Sequence, residues 1–281
     1  DLLITAFAAT QKKLYPNRQI VIGNTKKRIA NHSEVFDNNP NIADCRNLDK
    51  NKDIHVINYH SGNRPYIDYL KSKKTKYVWS TKFKPHPGEI YFSAQEHKEA
   101  EEIYNNSINF WEKKYGSKKF KGTIFLETSS TKVHNKQLGF KHINKDWGHE
   151  NWKKLINKIK DKFLIIHSVH ENTQPIENIF APKNTNFRLA CAIMNKCNIY
   201  LGPEGGFGHV AAALRKKAVI YFGGWITPDV IGYDFHNNIY FNHPSSPCGV
   251  IGSICEHCNL ARKKISVETM ERNIETVFEK I

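Results

Sequence analysis

Short apolar runs alternating with amphipathic stretches predict an α/β protein of two doubly wound halves facing across a cleft. Three observations carry this expectation. Residues 197–201 and 218–222 are apolar runs separated by a glycine-rich turn and an alanine-rich helix, a βαβ unit. A polar, lysine-bearing joint at residues 116–119 divides the chain, and the strand–helix alternation restarts after it. At 281 residues the chain is long enough to bury two modest cores.

The elements follow in order. Residues 2–15 read as a helix with Leu3, Phe7, Thr10 and Leu14 on one stripe. Pro16 breaks it, and residues 19–22 form a strand ending at Gly23. A second strand spans 53–58, a helix starts at Pro65 and runs toward Leu70, and 76–79 is a strand candidate. Ser93 caps a helix that reaches about residue 115, with Glu96 completing a capping box. In the second half, 122–127 is a strand and 128–131 a polar loop. Residues 148–160 form a helix with Trp152, Leu155, Ile156 and Ile159 on its apolar face. Residues 163–167 are a strand and 187–195 a helix, after which the βαβ unit begins. Ser266 caps the closing helix 267–281, with Val267, Met270, Ile274, Val277 and Phe278 as its stripe. The domains are expected at 1–118 and 119–281, with the closing helix packing back on the first. No strand precedes the first helix, although that strand is usually central in a doubly wound sheet, so the first domain reads as truncated at its front.

The formal charge is +15, from 42 Lys and Arg against 27 Asp and Glu. Most of these lysines read as solvated surface. A basic surface also attracts anionic partners such as nucleotides or an anionic membrane face. No signature of nucleic-acid recognition is present. No apolar run approaches the roughly 18 residues of a membrane span. Among six cysteines, Cys45, Cys191 and Cys197 stand singly, while Cys248, Cys255 and Cys258 cluster as C-x6-C-x2-C. The cluster can bind zinc with His243 or His257 as fourth ligand, or it can be free thiols lining a loop. The absence of a visible leader favours a reducing cytoplasm.

Chemistry concentrates at Gly202-Pro203-Glu204-Gly205-Gly206-Phe207-Gly208-His209. Glycines let a backbone approach a phosphate, and a helix N-terminus offers free N–H groups and positive dipole. Glu204 can accept from a ribose hydroxyl. The alternative is a glycine-rich turn packed for steric reasons.

These residues resemble the family 9 glycosyltransferases, the family of the lipopolysaccharide heptosyltransferases, which have the glycosyltransferase B fold of two Rossmann-like domains. Asp1-Leu2-Leu3-Ile4-Thr5-Ala6 resembles that family's Gly-Asp-led turn with its Gly cut off. Lys145-Asp146-Trp147 with Glu150-Asn151-Trp152 resembles its Lys-x-Trp-Pro…Trp motif, Gly202 to Leu214 its Asp-(Ser/Thr)-Gly-x-x-His motif, and Phe222 to Pro228 its Phe-Gly-Pro-Thr-x-Pro loop. The departures are Glu204 for Asp, Gly148 for Pro, the Phe207-Gly208 filling and a longer stretch from Thr128 to Lys145.

The resemblance implies an inverting, metal-independent sugar transfer, heptose or related, from an ADP-linked donor. The acceptor would be a lipopolysaccharide core or another cell-surface glycan, reached at the inner face of the cytoplasmic membrane. Asp1 matches the family's general base, and its bland alternative is a helix N-cap. Lys145 matches the phosphate-binding lysine. Thr128, Ser129, Gly205, Gly206 and His209 would complete the diphosphate site with Glu204 on the ribose. Glu171 is a weaker nucleoside contact. Two other readings stand beside this one: a sugar-nucleotide epimerase of the same fold, and a non-catalytic nucleotide-sugar-binding protein.

Overall fold

The structure is a computed structural model and describes residues 1–116, 118–129, 143–170, 173–253 and 255–281. Helix α1 (Leu2–Leu14) leads into strand β1 (Gln19–Asn24), which pairs antiparallel with β2 (Ile29–Ala30) and parallel with β3 (Ile54–Asn58). The order of this sheet is β2-β1-β3. Helix α2 (Ala94–Tyr115) follows a long irregular stretch. Its capping box forms as expected, with Ser93 Oγ accepting from the Glu96 N–H and Glu96 accepting from the Ser93 N–H.

The second sheet contains β4 (Thr123–Leu126), β5 (Leu164–His167), β6 (Ile199–Pro203), β7 (Lys217–Phe222) and β8 (Asn237–Tyr240). All its pairings are parallel and its order is β5-β4-β6-β7-β8. Helices α3 (His149–Ile159), α4 (Phe187–Lys196), α5 (Gly206–Ala213), α6 (Pro228–Ile231), α7 (Glu256–Lys264) and α8 (Val267–Phe278) complete this half.

Side chains alternate across each strand, so the sheet feeds two cores. Phe125, Ile166, Tyr200 and Ile220 join one core, shared with Leu189 and Ile193 of α4 and Val210 of α5. Ile124, Leu126, Ile165, Leu201 and Val219 join the other, shared with Trp152, Leu155 and Ile156 of α3 and Met270 and Ile274 of α8. Helices therefore cover both faces, which makes this half doubly wound.

Several sequence expectations are corrected. The buried positions of α1 are Leu2, Ile4, Thr5 and Ala8, while Phe7 and Leu14 are exposed. Leu2, Ile4 and Ala8 join the core that also holds Val210 and Ala211 of α5. Pro65 to Leu70 is a pair of turns rather than a helix, because Ile67 bridges to Trp79 and Asp68 N–H donates to the Val78 carbonyl. Residues 76–79 form bridges only, to Lys73, Ile67 and Val250. The closing helix α8 packs on the second sheet beside α3, not back on the first half. The first half is a three-stranded sheet rather than a doubly wound one.

The halves are fastened together. Arg188 on α4 donates to Glu96 on α2 through Nε at 2.6 Å and Nη2 at 2.9 Å, and to the carbonyls of Glu34 and Tyr91. No helix among the described residues is long and apolar enough to cross a membrane.

Candidate active site

The site lies where the strand order turns. Strands β4 and β6 are neighbours, but the helices that follow them in the chain, α3 and α5, lie on opposite faces of the sheet. That divergence opens a crevice at the carboxyl ends of the two strands, the usual ligand position in this architecture. Glu127, Thr128 and Ser129 leave β4 there. Glu204, Gly205 and the N-terminus of α5 leave β6.

Lys145 reaches the same place from the 3-10 turn Ile143–Lys145. Its Nζ lies 2.8 Å from Glu204 Oε1, and the two side chains are only 9% and 3% exposed. Nζ also stands 5.1 Å above the Trp225 ring, a cation–π contact strengthened by burial. Burial on this scale removes Lys145 from the solvated surface charges. The turn is held by Asn144, whose Nδ2 donates to the Val250 and Ser253 carbonyls while Oδ1 accepts from the Cys255 N–H.

A Cβ added at Gly205 or Gly206 would meet no atom within 4 Å. The entrance of α5 is therefore open space beside a cation, and helix N–H groups face it. Gly205 is in extended backbone and Gly206 needs no positive φ, so approach rather than conformation accounts for these two glycines.

His209 lies in the first turns of α5, with Nδ1 2.9 Å from the Tyr233 hydroxyl. Desolvation pushes its pKa down to about 3, and the Lys145 ammonium adds repulsion. That repulsion places Lys145 and His209 in one electrostatic neighbourhood. A neutral His209 can donate an N–H but adds no positive charge. Asp1 stands at the N-cap position of α1, yet its side chain does not cap the helix and accepts from Ser33 Oγ at 3.1 Å.

Thr128 and Ser129 are buried at the end of β4. Thr128 Oγ1 sits 3.1 Å from His167 Nε2, and the Ser129 carbonyl is 3.0 Å from His170 Nε2. Glu171 lies outside the described residues.

Sequence reasoning missed Glu127, Tyr200 and Trp225. Glu127 is 5% exposed, and its Oε2 accepts from the Tyr200 hydroxyl at 2.9 Å. Burial drives its pKa up to about 8, against the opposing hydrogen bond from Tyr200 and the charge of Lys145. Its only sequence signal was an acidic residue closing an apolar strand. Trp225 lies inside the Phe222 to Pro228 motif, whose resemblance implies no role for it.

A second cluster lies behind this site. Sγ of Cys248, Cys255 and Cys258 and a ring nitrogen of His257 all fall within 4.8 Å of one another. His243 stacks on His257 at 5.3 Å between centroids and is not a member of the group.

Fold and site together define a doubly wound α/β protein with a buried Lys–Glu pair at its switch point. No family model matches the chain, and none of the curated proteins does. Among solved structures it is similar to a family 9 glycosyl transferase of Veillonella parvula, with 14% identity, 70% of this chain and 56% of that one covered, and a TM-score of 0.49. It is also similar to the ADP-heptose lipopolysaccharide heptosyltransferase II of E. coli, at 12% identity, 69% and 54% coverage and a TM-score of 0.45. A third is the iron-containing dodecameric glycosyltransferase TibC of enterotoxigenic E. coli, at 12%, 56% and 45%, and 0.44. The chain spans about half the length of these solved chains.

Two cavities, of about 720 and 550 Å³, are lined by residues of the first half, the smaller one also by Arg188, and neither is lined by Lys145 or Glu204.

Proposed function

We propose that this chain is a glycosyltransferase that moves a sugar from a nucleoside-diphosphate sugar to a glycan hydroxyl. The observation that carries the reading is the buried Lys145–Glu204 pair beside the open N-terminus of α5. The motifs at Lys145 and Gly202 support it from the sequence side. In this reading Lys145 and the first N–H groups of α5 hold the diphosphate, and Glu204 turns to a ribose hydroxyl. Asp1 takes the proton of the acceptor hydroxyl. The acceptor oxygen then bonds to the anomeric carbon, and the bond from that carbon to the phosphate oxygen breaks with inversion. The electron pair leaves on the diphosphate, where Lys145 and the helix dipole stabilise it. No metal is required for this step.

The donor base is proposed as adenine, and the sugar as a heptose or a relative. The acceptor is proposed as a lipopolysaccharide core or other glycolipid, approached from the first half, 1–118, across a cleft to the second, 119–281. The net charge of +15 supports contact with an anionic cytoplasmic membrane face.

Thermal melting against nucleoside diphosphates and their sugars tests this. One nucleotide should raise the midpoint, and Lys145→Ala and Glu204→Gln should each remove that rise. A well-folded protein that no nucleotide stabilises would sink the reading. Incubation with donor alone then separates the alternatives: an epimerase gives an isomer, a transferase gives product only when acceptor is added, and a binder gives neither.

A further inference from the structure

We propose that Cys248, Cys255, His257 and Cys258 form a closed tetrahedral site for a thiolate-binding transition metal, zinc foremost, that clamps the two walls of the Lys145 crevice. Neither the metal nor its clamping role depends on the transferase reading.

The donor set is chemically complete. Three thiols and one imidazole match a structural zinc centre with no open position. Tetrahedral zinc with Zn–S near 2.3 Å sets its ligand atoms roughly 3.7 Å apart. Here Cys248 and Cys258 Sγ are 3.3 Å apart, and Cys255 Sγ is 2.8 Å from His257 Nδ1. Cys248, His257 and Cys258 are buried and Cys255 is half-buried. Outer contacts suit the charge of a metallated cluster. His257 Nε2 lies 3.2 Å from the Gly224 carbonyl, which leaves Nδ1 to ligate, and the Val250 N–H points at Cys248 Sγ at 3.4 Å. Three thiols packed this closely as neutral groups would forgo that complementarity. Metal binding releases the thiol protons to solvent and retains the sulfurs as ligands.

Position gives the site its second property. Cys248 N–H donates to the Gly224 carbonyl and Gly249 N–H to the Trp225 carbonyl. A Cβ at Gly224 would lie 2.7 Å from His257 Nε2 and 3.0 Å from Cys258 Sγ, so the loop after β7 rests directly on the cluster. That loop carries Trp225 beneath the Lys145 ammonium. On the other side, Cys255 N–H holds Asn144, the residue before Lys145. One centre thus fixes both the lysine and the ring it stands on.

The test uses the full chain, purified under reducing conditions without added metal. Elemental analysis should give one zinc per chain. Cys255→Ser and Cys258→Ser should each weaken zinc retention by about tenfold or more, while His243→Ala should leave it intact. Stripping the metal should raise hydrogen exchange at residues 144–147, 223–227 and 248–253 while β4, β6 and β7 stay protected. One iron per chain with thiolate-to-metal absorption would support the same centre with a different ion. A metal-free chain whose exchange is unchanged by added zinc would overturn the proposal. So would a Cys248–Cys258 disulfide in the freshly purified protein.

Discussion

The fold strongly alters the protonation of Glu127 in the candidate site. Its pKa rises to about 8 in the folded state, above the ordinary carboxylate value. The folded protein then binds a proton that the unfolded chain releases between about pH 4.5 and 8. Stability from this group is present below that window and is lost as pH rises through 8, by at most about 5 kcal/mol. His167 and His236 are pushed down to about 4 and His209 to about 3, all by burial. These three act with opposite sign, and their contribution is lost as pH falls below about 6.5. Melting should therefore be best near pH 6.5, and only the fall toward pH 8 should flatten in Glu127→Gln. An unchanged slope there would place the proton elsewhere. Trp225→Ala removes a buried ring that packs on Trp79 and should destabilise the fold by about 3–5 kcal/mol. It should also weaken nucleotide binding by about 1–2 kcal/mol through lost cation–π contact with Lys145, read by calorimetric titration.

At the scale of elements, what was legible depended on whether local signals agreed with tertiary ones. The Ser93 capping box, the stripe of α3 and the βαβ unit around Gly202 are local patterns, and each formed where expected. Residues 65–70 have helical composition, but the Ile67–Trp79 bridge and the Asp68–Val78 hydrogen bond hold them in turns. Phe7 and Leu14 made the most hydrophobic stripe of α1, whereas the buried side is smaller and fits against α5. Glu127–Tyr200 and Thr128–His167 join residues 73 and 39 apart, which no periodicity reports. Two predictions belong here. Ser93→Ala should destabilise by about 1 kcal/mol in chemical denaturation. Gly148 has a φ of +94° at the start of α3, so the proline that resembles the family pattern cannot be accommodated there. Gly148→Pro should lower stability by about 1–3 kcal/mol, and a neutral result would mean that the turn before α3 differs from this one.

Across the whole molecule, Arg188 joins the halves more firmly than the polar joint near residue 118 suggested. Its guanidinium is 7% exposed and spans from α4 to Glu96, Glu34 and Tyr91. Arg188→Met leaves Glu96 partly buried without its cation and should cost about 3–5 kcal/mol by denaturant titration. The charge of +15 is spread over the same body. Sedimentation with anionic vesicles should show binding at low salt that fades as the Debye length shortens to about 8 Å at 0.15 M, and binding indifferent to salt would count against the membrane-face reading.

The pairing of β4 with β6 also sets a timetable. Thr123 and Asn198 meet across 75 residues at the start of this seam, and the crevice opens at its far end. A ribosome delivers the first strand several seconds ahead of its neighbour. During that interval β5 is the adjacent strand already made, and the apolar side chains of β4 have only that partner. Long-range parallel pairing forms slowly because the loop must close before any contact rewards it. The ligand crevice is accordingly among the last features to exist in a newborn chain, and premature termination before residue 199 would leave a sticky half-sheet with nothing to bind.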